Sequence, residues 1–285
     1  MGFKELLNSA YSQSEDSATV NADLHTIQNE SLIIFDAFRR VCEKHNIIYM
    51  MGGGSALGTV RHEGFIPWDD DIDINMPRND FERFKGVSDE LGDTFVFCAP
   101  NHKDTAVERF GKIFMRKGPD DAEWQQNTSI DLFVIENLPK NHIHRQIKGM
   151  ISTIGMGLAA ASSFYSSKTE ELKRVLCSSP RGKFSYYIRV YVGFLVSFFP
   201  TVKLYNFADR LNQYHKVTGV SGVPSGRKHY FGEQFPTEVY LPTISGLFEG
   251  RTVPLEHDTD RYLSNLYGRN YMELPPEDQR EKHFR

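Results

Sequence analysis

Four carboxylates fall within five residues, Asp69, Asp70, Asp71 and Asp73, and only Ile72 interrupts them. They follow a Gly52-Gly53-Gly54-Ser55 turn by about fifteen residues, the length of a short helix and a loop. On a strand, successive side chains point to opposite faces. Asp71 and Asp73 would then face one way, and Ile72 and Ile74 the other. Two carboxylates on one face repel, and each makes the other harder to ionise. A cation between them removes that cost. Mg²⁺ is the natural occupant, with Mn²⁺ as an alternative, because it is held by one or two carboxylates together with substrate phosphates. The chemistry indicated is transfer at a phosphorus atom.

The chain is long enough for one large domain or two small ones, with 285 residues of which 40% are hydrophobic. Its net charge of −4 provides no broad basic field for nucleic acid, so no nucleic-acid partner is expected. Local Arg and Lys clusters are sufficient for a small phosphorylated substrate. Cys42, Cys98 and Cys177 are odd in number and far apart, which points to reduced thiols rather than a disulfide framework or a zinc knuckle. Residues 1–22 are polar and lack the apolar core of a signal peptide, so they are expected to be a flexible lead-in. The longest apolar run, 190–199, is shorter than the roughly 20 residues of a membrane span. The expected location is cytoplasmic, with the inner membrane face as a peripheral option.

From Asp23, apolar residues Leu24, Ile27, Ile34, Phe38 and Val41 recur at helical spacing, and the helix should end near Lys44-His45-Asn46. Strands are expected at 47–51, 71–76, 94–99, 110–116 and 129–135. Helices should follow Ser55 and Asn79, the second running to Leu91. Residues 141–217 look mostly helical, with Ser178 to Gly182 linking two helices. Residues 223–256 read as strands and turns, and Asp258 or Thr259 should cap a last helix. The fold class expected is α+β, a small mixed sheet with flanking helices. A catalytic core over 23–140 would be interrupted by a helical insertion over 141–217 and completed by 218–285.

This order resembles the polymerase-β-like nucleotidyltransferase fold, in which a Gly-Ser turn opens a helix, two carboxylates lie on the next strand and a third on a later strand. The corresponding residues are Gly53, Gly54 and Ser55, then Asp71 and Asp73, then Asp131 between Ile130 and Leu132. Backbone N–H groups at such a turn can hold phosphate oxygens. The resemblance sharpens over 52–84. The run from Gly52-Gly53-Gly54-Ser55 through Arg61-His62-Glu63-Gly64-Phe65-Ile66-Pro67-Trp68 and the acidic strand to Pro77-Arg78-Asn79-Asp80-Phe81 is similar to the signature of the LicD family, which is related to fukutin and the fukutin-related proteins. Ser129 to Phe133, Phe248-Glu249-Gly250, Tyr267-Gly268 and Leu274-Pro275-Pro276 fit the same pattern, whereas 141–217 falls outside it. The resemblance implies Mg²⁺-dependent transfer of a phospho-alcohol from a CDP- or CMP-activated donor to a glycan hydroxyl, with release of CMP. The group could be phosphocholine, phosphoethanolamine, a polyol phosphate or an aminoalkylphosphonate, and the acceptor free or lipid-linked. Rivals are transfer of NMP from an NTP, and a non-catalytic binding protein on the same fold.

Asp71, Asp73 and Asp131 are thus the expected catalytic and metal-binding residues, with Asp131 as third ligand or general base. Gly53, Gly54 and Ser55 would cradle phosphate. Arg61, His62, Arg78 and Lys112 would contact the donor, since guanidinium forks suit phosphate. Taken singly, each of these has an ordinary alternative as a surface charge. Asp69 and Asp70 fit a supporting role or a loop cap equally. Trp68 is expected to buttress the acidic loop. Lys228, His229 and Glu233 are expected at the surface rather than in an acceptor pocket, and His283 in a solvated tail. Residues 184–199 are apolar almost all round, flanked by Arg181, Lys183 and Lys203 and interrupted by Arg189. A buried core helix is the favoured reading, and a helix lying on a membrane surface is the alternative.

Overall fold

The computed structural model describes residues 17–103, 108–276 and 280, with side chains described from residue 23. Residues 1–16 of the expected lead-in, and His283, lie outside the described residues. Helix α1, Ser17–His45, starts six residues before the expected Asp23 and closes on the basic Lys44 and His45. Its apolar stripe of Ile34, Phe35, Phe38, Val41 and Cys42 is fully buried. Phe38 meets Tyr49 and Phe84 with ring centroids 5.0 Å apart in each case, which fixes the helix on the core.

Next come β1, Met50–Met51; α2, Gly53–His62; β2, Asp73–Pro77; and α3, Arg78–Val87, extended by a 3-10 turn over Ser88–Leu91. Strands β3, Phe95–Cys98, β4, Gly111–Met115, and β5, Ser129–Asn137, complete the first half. Helices α4, His142–Ser166, α5, Glu170–Leu176, α6, Pro180–Val196, and α7, Thr201–Asn212, follow. The chain then forms β6, Val220–Gly222; the short helix α8, His229–Gly232; β7, Gln234–Pro236; the hairpin β8, Ile244–Phe248, and β9, Arg251–Leu255; and α9, Thr259–Tyr267. Two expectations are corrected here. Pro180 to Gly182 form the first turn of α6, where a proline at the N-terminal position is favoured, so they are not a linker. The strand expected at 47–51 is reduced to two residues.

The main sheet is mixed, in the order β1-β2-β5-β4-β3. Among the described residues, only β2 and β5 pair in parallel. β5 also pairs with β6, which pairs with β7, so the sheet takes strands from both sides of the helical segment. The period-two pattern is kept: Ile72, Ile74 and Met76 are fully buried on one face, while Asp73 and Asn75 take the other. This fold is α+β with a mixed sheet and flanking helices.

Candidate active site

Parallel pairing places Asp73 directly opposite Asp131, and antiparallel pairing places Lys112 opposite Asp131. Three of the expected site residues therefore form one row across β2, β5 and β4. The Lys112 ammonium lies 2.7 Å from the Asp131 carboxylate. Asp71 falls just before β2 rather than within it, in correction of the expected two-carboxylate strand face. Its charge nevertheless acts on Asp73. Burial first, then the charges of Asp71, Asp131 and Asp69, push the Asp73 carboxyl well above the usual range. The Asp69 carboxyl is raised too, by burial and by the charges of Asp71 and Asp70.

One ligand atom from each of Asp69, Asp70 and Asp71 lies within 4.8 Å of the others. This cluster is not the Asp71, Asp73, Asp131 set expected from the sequence. The loop bearing it is held by Gln28, whose amide donates to the Asp69 carbonyl at 2.8 Å. At the start of that loop, the Phe65 N–H donates to the Glu249 carboxylate at 3.1 Å.

The glycines have a steric role. Gly53 has φ of +44°, and a side chain there would overlap the Asp73 carboxylate. A Cβ at Gly54 would lie 2.7 Å from Asp69 Oδ2. The N-terminus of α2 can press against the carboxylates only because these side chains are missing. Its polar groups are engaged internally. The Gly54 N–H donates to the Asp73 carboxylate, and the Gly53 N–H donates to the Tyr262 hydroxyl at 3.1 Å. Ser55 Oγ accepts from the Asp73 N–H at 2.9 Å. Of the expected phosphate cradle, Gly54 and Ser55 thus bond Asp73 in this structure, and Gly53 is tied to Tyr262.

Arg78 is not brought to this row. It follows the last residue of β2, about 16 Å from Asp73 by strand rise. It binds Glu136 at 3.0 Å, Asp209 at 2.7 Å and Glu82 at 2.9 Å. Burial works against its charge, but Glu136 and Asp209 outweigh that and raise its pKa. Arg61 is likewise engaged elsewhere, donating to the Tyr271 carbonyl at 2.8 Å and to His62 at 2.9 Å. Burial and Arg61 lower the His62 pKa. Lys112 alone among the four expected donor contacts reaches the carboxylates. It also lines a cavity of ≈ 520 Å³ with Glu108, Phe114, Gln125 and Gln126. Glu233, expected at the surface, is buried and accepts the Lys228 N–H at 2.7 Å.

Several contributors escaped the sequence reading. Tyr267 lies close enough to Asp73, Asp69 and Asp71 that they add to the effect of burial in raising its pKa. The Arg227 guanidinium stands 5.1 Å from the Tyr267 ring, and Arg280 stands 4.5 Å from Trp68 at the acidic loop. The Asn75 amide donates to Glu256 at 3.0 Å and to the Tyr262 hydroxyl at 2.9 Å. No local motif links Tyr262 to Gly53, which is 209 positions away.

The mixed sheet seats a carboxylate cluster against a glycine-rich helix start. Residues 46–155 match the family described as "LicD/FKTN/FKRP, nucleotidyltransferase domain". The chain is 27% identical over 273 residues to the lipopolysaccharide cholinephosphotransferase LicD of Haemophilus influenzae, covering 90% of this chain and 96% of that protein. Shorter stretches are 46% identical over 44 residues to an uncharacterized protein of Rickettsia typhi, and 51% identical over 37 residues to one of Rickettsia prowazekii. These cover 15% and 13% of this chain, and 14% of each relative. Residues 46–155 thus match the LicD family model, and similarity to one LicD protein extends over nearly the whole chain.

Proposed function

We propose that the chain transfers a phosphorylated alcohol from a CDP- or CMP-activated donor to a hydroxyl of a cell-surface glycan, with release of CMP, on a polymerase-β-like nucleotidyltransferase core. Residues 23–140 and 218–285 form one catalytic domain in this reading, working at the cytoplasmic side. The observation that carries it is the Asp73–Asp131 register beside Asp69 and Asp71, within the segment shared with the family. The near full-length relative, a cholinephosphotransferase by name, supports the group transferred and the glycan acceptor. A choline, ethanolamine or polyol phosphate, or an aminoalkylphosphonate, suits the same chemistry.

The residues fit a hard divalent cation. Crowded carboxyls raised by mutual repulsion are relieved by a positive ion, and all donors are oxygens. Asp69, Asp71, Asp73 and Asp131 would hold Mg²⁺. When bound, the ion neutralises phosphate charge and lowers the pKa of a coordinated hydroxyl. Lys112 and Arg227 add positive charge beside the row, and the Lys112 cavity can hold part of the donor. The acceptor hydroxyl attacks the phosphorus that bears the alcohol. A new O–P bond forms, the bond from that phosphorus to the CMP oxygen breaks, and the hydroxyl proton passes to a carboxylate of the cluster.

CMP release from purified protein is the test, with CDP-choline, CDP-ethanolamine, CDP-ribitol, CDP-glycerol and a CMP-aminoalkylphosphonate, in Mg²⁺ and in EDTA. The expected result is CMP from one donor, lost in EDTA and in Asp73→Asn with an unchanged fold. Pyrophosphate from a nucleoside triphosphate, with no CMP from any of these donors, would assign nucleotidyl transfer instead.

A further inference from the structure

The helical segment between β5 and β6 departs from the rest of the molecule in charge and in surface. Residues 141–217 carry eleven Lys and Arg against three Asp and Glu, a net +8 in a chain whose total is −4. The remaining residues therefore carry −12. Helix α6 contains Arg181, Lys183 and Arg189 and no acidic residue.

The favoured sequence reading of α6 as a buried core helix is corrected. Only Tyr186 and Gly193 of α6 are buried. They form a narrow seam on α4, with Tyr186 edge-on to Phe164 at 5.6 Å and Gly193 against the Ala161 carbonyl. The opposite face repeats large apolar side chains at helical spacing: Phe184, Tyr187, Tyr191, Phe194 and Phe198. Phe184 is 70% exposed, and Phe198, just past the helix end, is 80% exposed. The supporting helix α4 exposes its own stripe, Ile143, Ile147, Met150, Ile151 and Ile154. Large apolar side chains exposed in this number mark an interaction site.

We infer that this apolar, basic face of the helical segment docks the protein onto an anionic phospholipid bilayer, with α6 lying in the headgroup region. Charge complementarity selects the occupant. A segment of +8 is attracted to anionic headgroups, whereas two copies face to face would bring like charges together. An apolar aromatic face bordered by Arg and Lys is the composition of an interfacial helix. At 17 residues, α6 is about 25 Å long, shorter than the roughly 30 Å hydrocarbon core, and α7 leaves it at 98°. Among the described residues, no single helix is long and apolar enough to cross a membrane. Helix α7, which follows the docking helix, also approaches the site. Val202 and Tyr205 of α7 share a small pocket with Glu108, which lines the Lys112 cavity.

The test is flotation of the full chain with phosphatidylcholine vesicles containing phosphatidylglycerol, and with phosphatidylcholine alone. Wild type should float with the anionic vesicles and lose most of that recovery in high salt. Phe194→Glu with Phe198→Glu, and separately Arg181→Glu with Lys183→Glu, should each cut recovery about tenfold with unchanged thermal melts. Phe198→Ser, beyond the end of the helix, serves if the double Glu variant does not fold. Wild type that stays unfloated, equal flotation on neutral vesicles, or variants that float like wild type would each overturn the inference. So would a dimer by light scattering that the Phe variants convert to monomer, since a second copy would then cover the face. Flotation needs no turnover, so the docking inference and the functional proposal fail separately.

Discussion

Replacing Arg78 with Met tests whether this arginine holds the fold or the donor. Met keeps most of the length and removes the charge. In the wild-type protein the guanidinium binds Glu136, whose side chain is 1% exposed, and Asp209, which is 9% exposed. The third partner, Glu82, is 44% exposed, so that pair contributes little. Arg78→Met therefore strands the buried Glu136 and leaves Asp209 with only the Asn101 and Gln213 amides, and breaking a buried ion pair from one side costs about 3–5 kcal/mol. The penalty should depend on pH. Burial already holds the Glu136 carboxyl above its unfolded value, and losing Arg78 raises it further. The penalty is then full at neutral pH and shrinks as pH falls through that raised range. Urea unfolding of wild type, Arg78→Met and the double variant with Glu136→Leu, near neutral pH and about two pH units lower, checks this. The single variant should lose about 3–5 kcal/mol near neutrality and clearly less in acid, and the double variant should regain part of the loss. A loss below about 1 kcal/mol together with weakened donor binding would refute the reasoning and return Arg78 to the donor site.

Gly53→Ala should reduce turnover sharply and destabilise the protein by about 1–3 kcal/mol, because φ is +44° and the new methyl overlaps the Asp73 carboxylate. Steady-state CMP release and a thermal melt measure both effects, and a wild-type rate would contradict them. Glu256 is fully buried, and burial pushes its carboxyl up to about 8, above its unfolded value. Its contribution to stability is therefore complete below the unfolded pKa and lost as pH rises towards about 8. Glu256→Gln keeps the acceptor for Asn75, so its melting temperature should gain on wild type across that window. Parallel curves would show that Glu256 does not titrate there.

What could be read from the sequence was local. The alternation of Asp73 with Ile72 and Ile74 reported a strand, and the structure keeps that alternation. The pairing of Asp73 with Asp131 was guessed from a resemblance, and parallel register supplies it. The ion pairs of Arg78 with Glu136 and Asp209 were not legible because these partners lie 58 and 131 positions away, where no spacing rule reaches. Asp69 and Asp70 fitted a supporting role or a loop cap equally, since their placement depends on how Gln28 and Glu249 hold the loop. The aromatic periodicity of 184–199 was correctly seen, but periodicity reports that a face is apolar and does not report whether anything covers it.

The helical segment leaves the sheet and returns to it at one point. Asn137 at the end of β5 pairs with Ser221 of β6, and the Leu138 N–H donates to the Val220 carbonyl at 2.8 Å. Departure and re-entry are thus neighbouring antiparallel strands, the geometry that a short hairpin turn also satisfies. Because the closure cost of a loop grows only with the logarithm of its length, some eighty residues or a few can occupy this position at little difference to the sheet. The segment is in that sense an interchangeable cartridge: lineages can lengthen, shorten or replace it to suit a new surface while the row of Asp73, Asp131 and Lys112 stays in place.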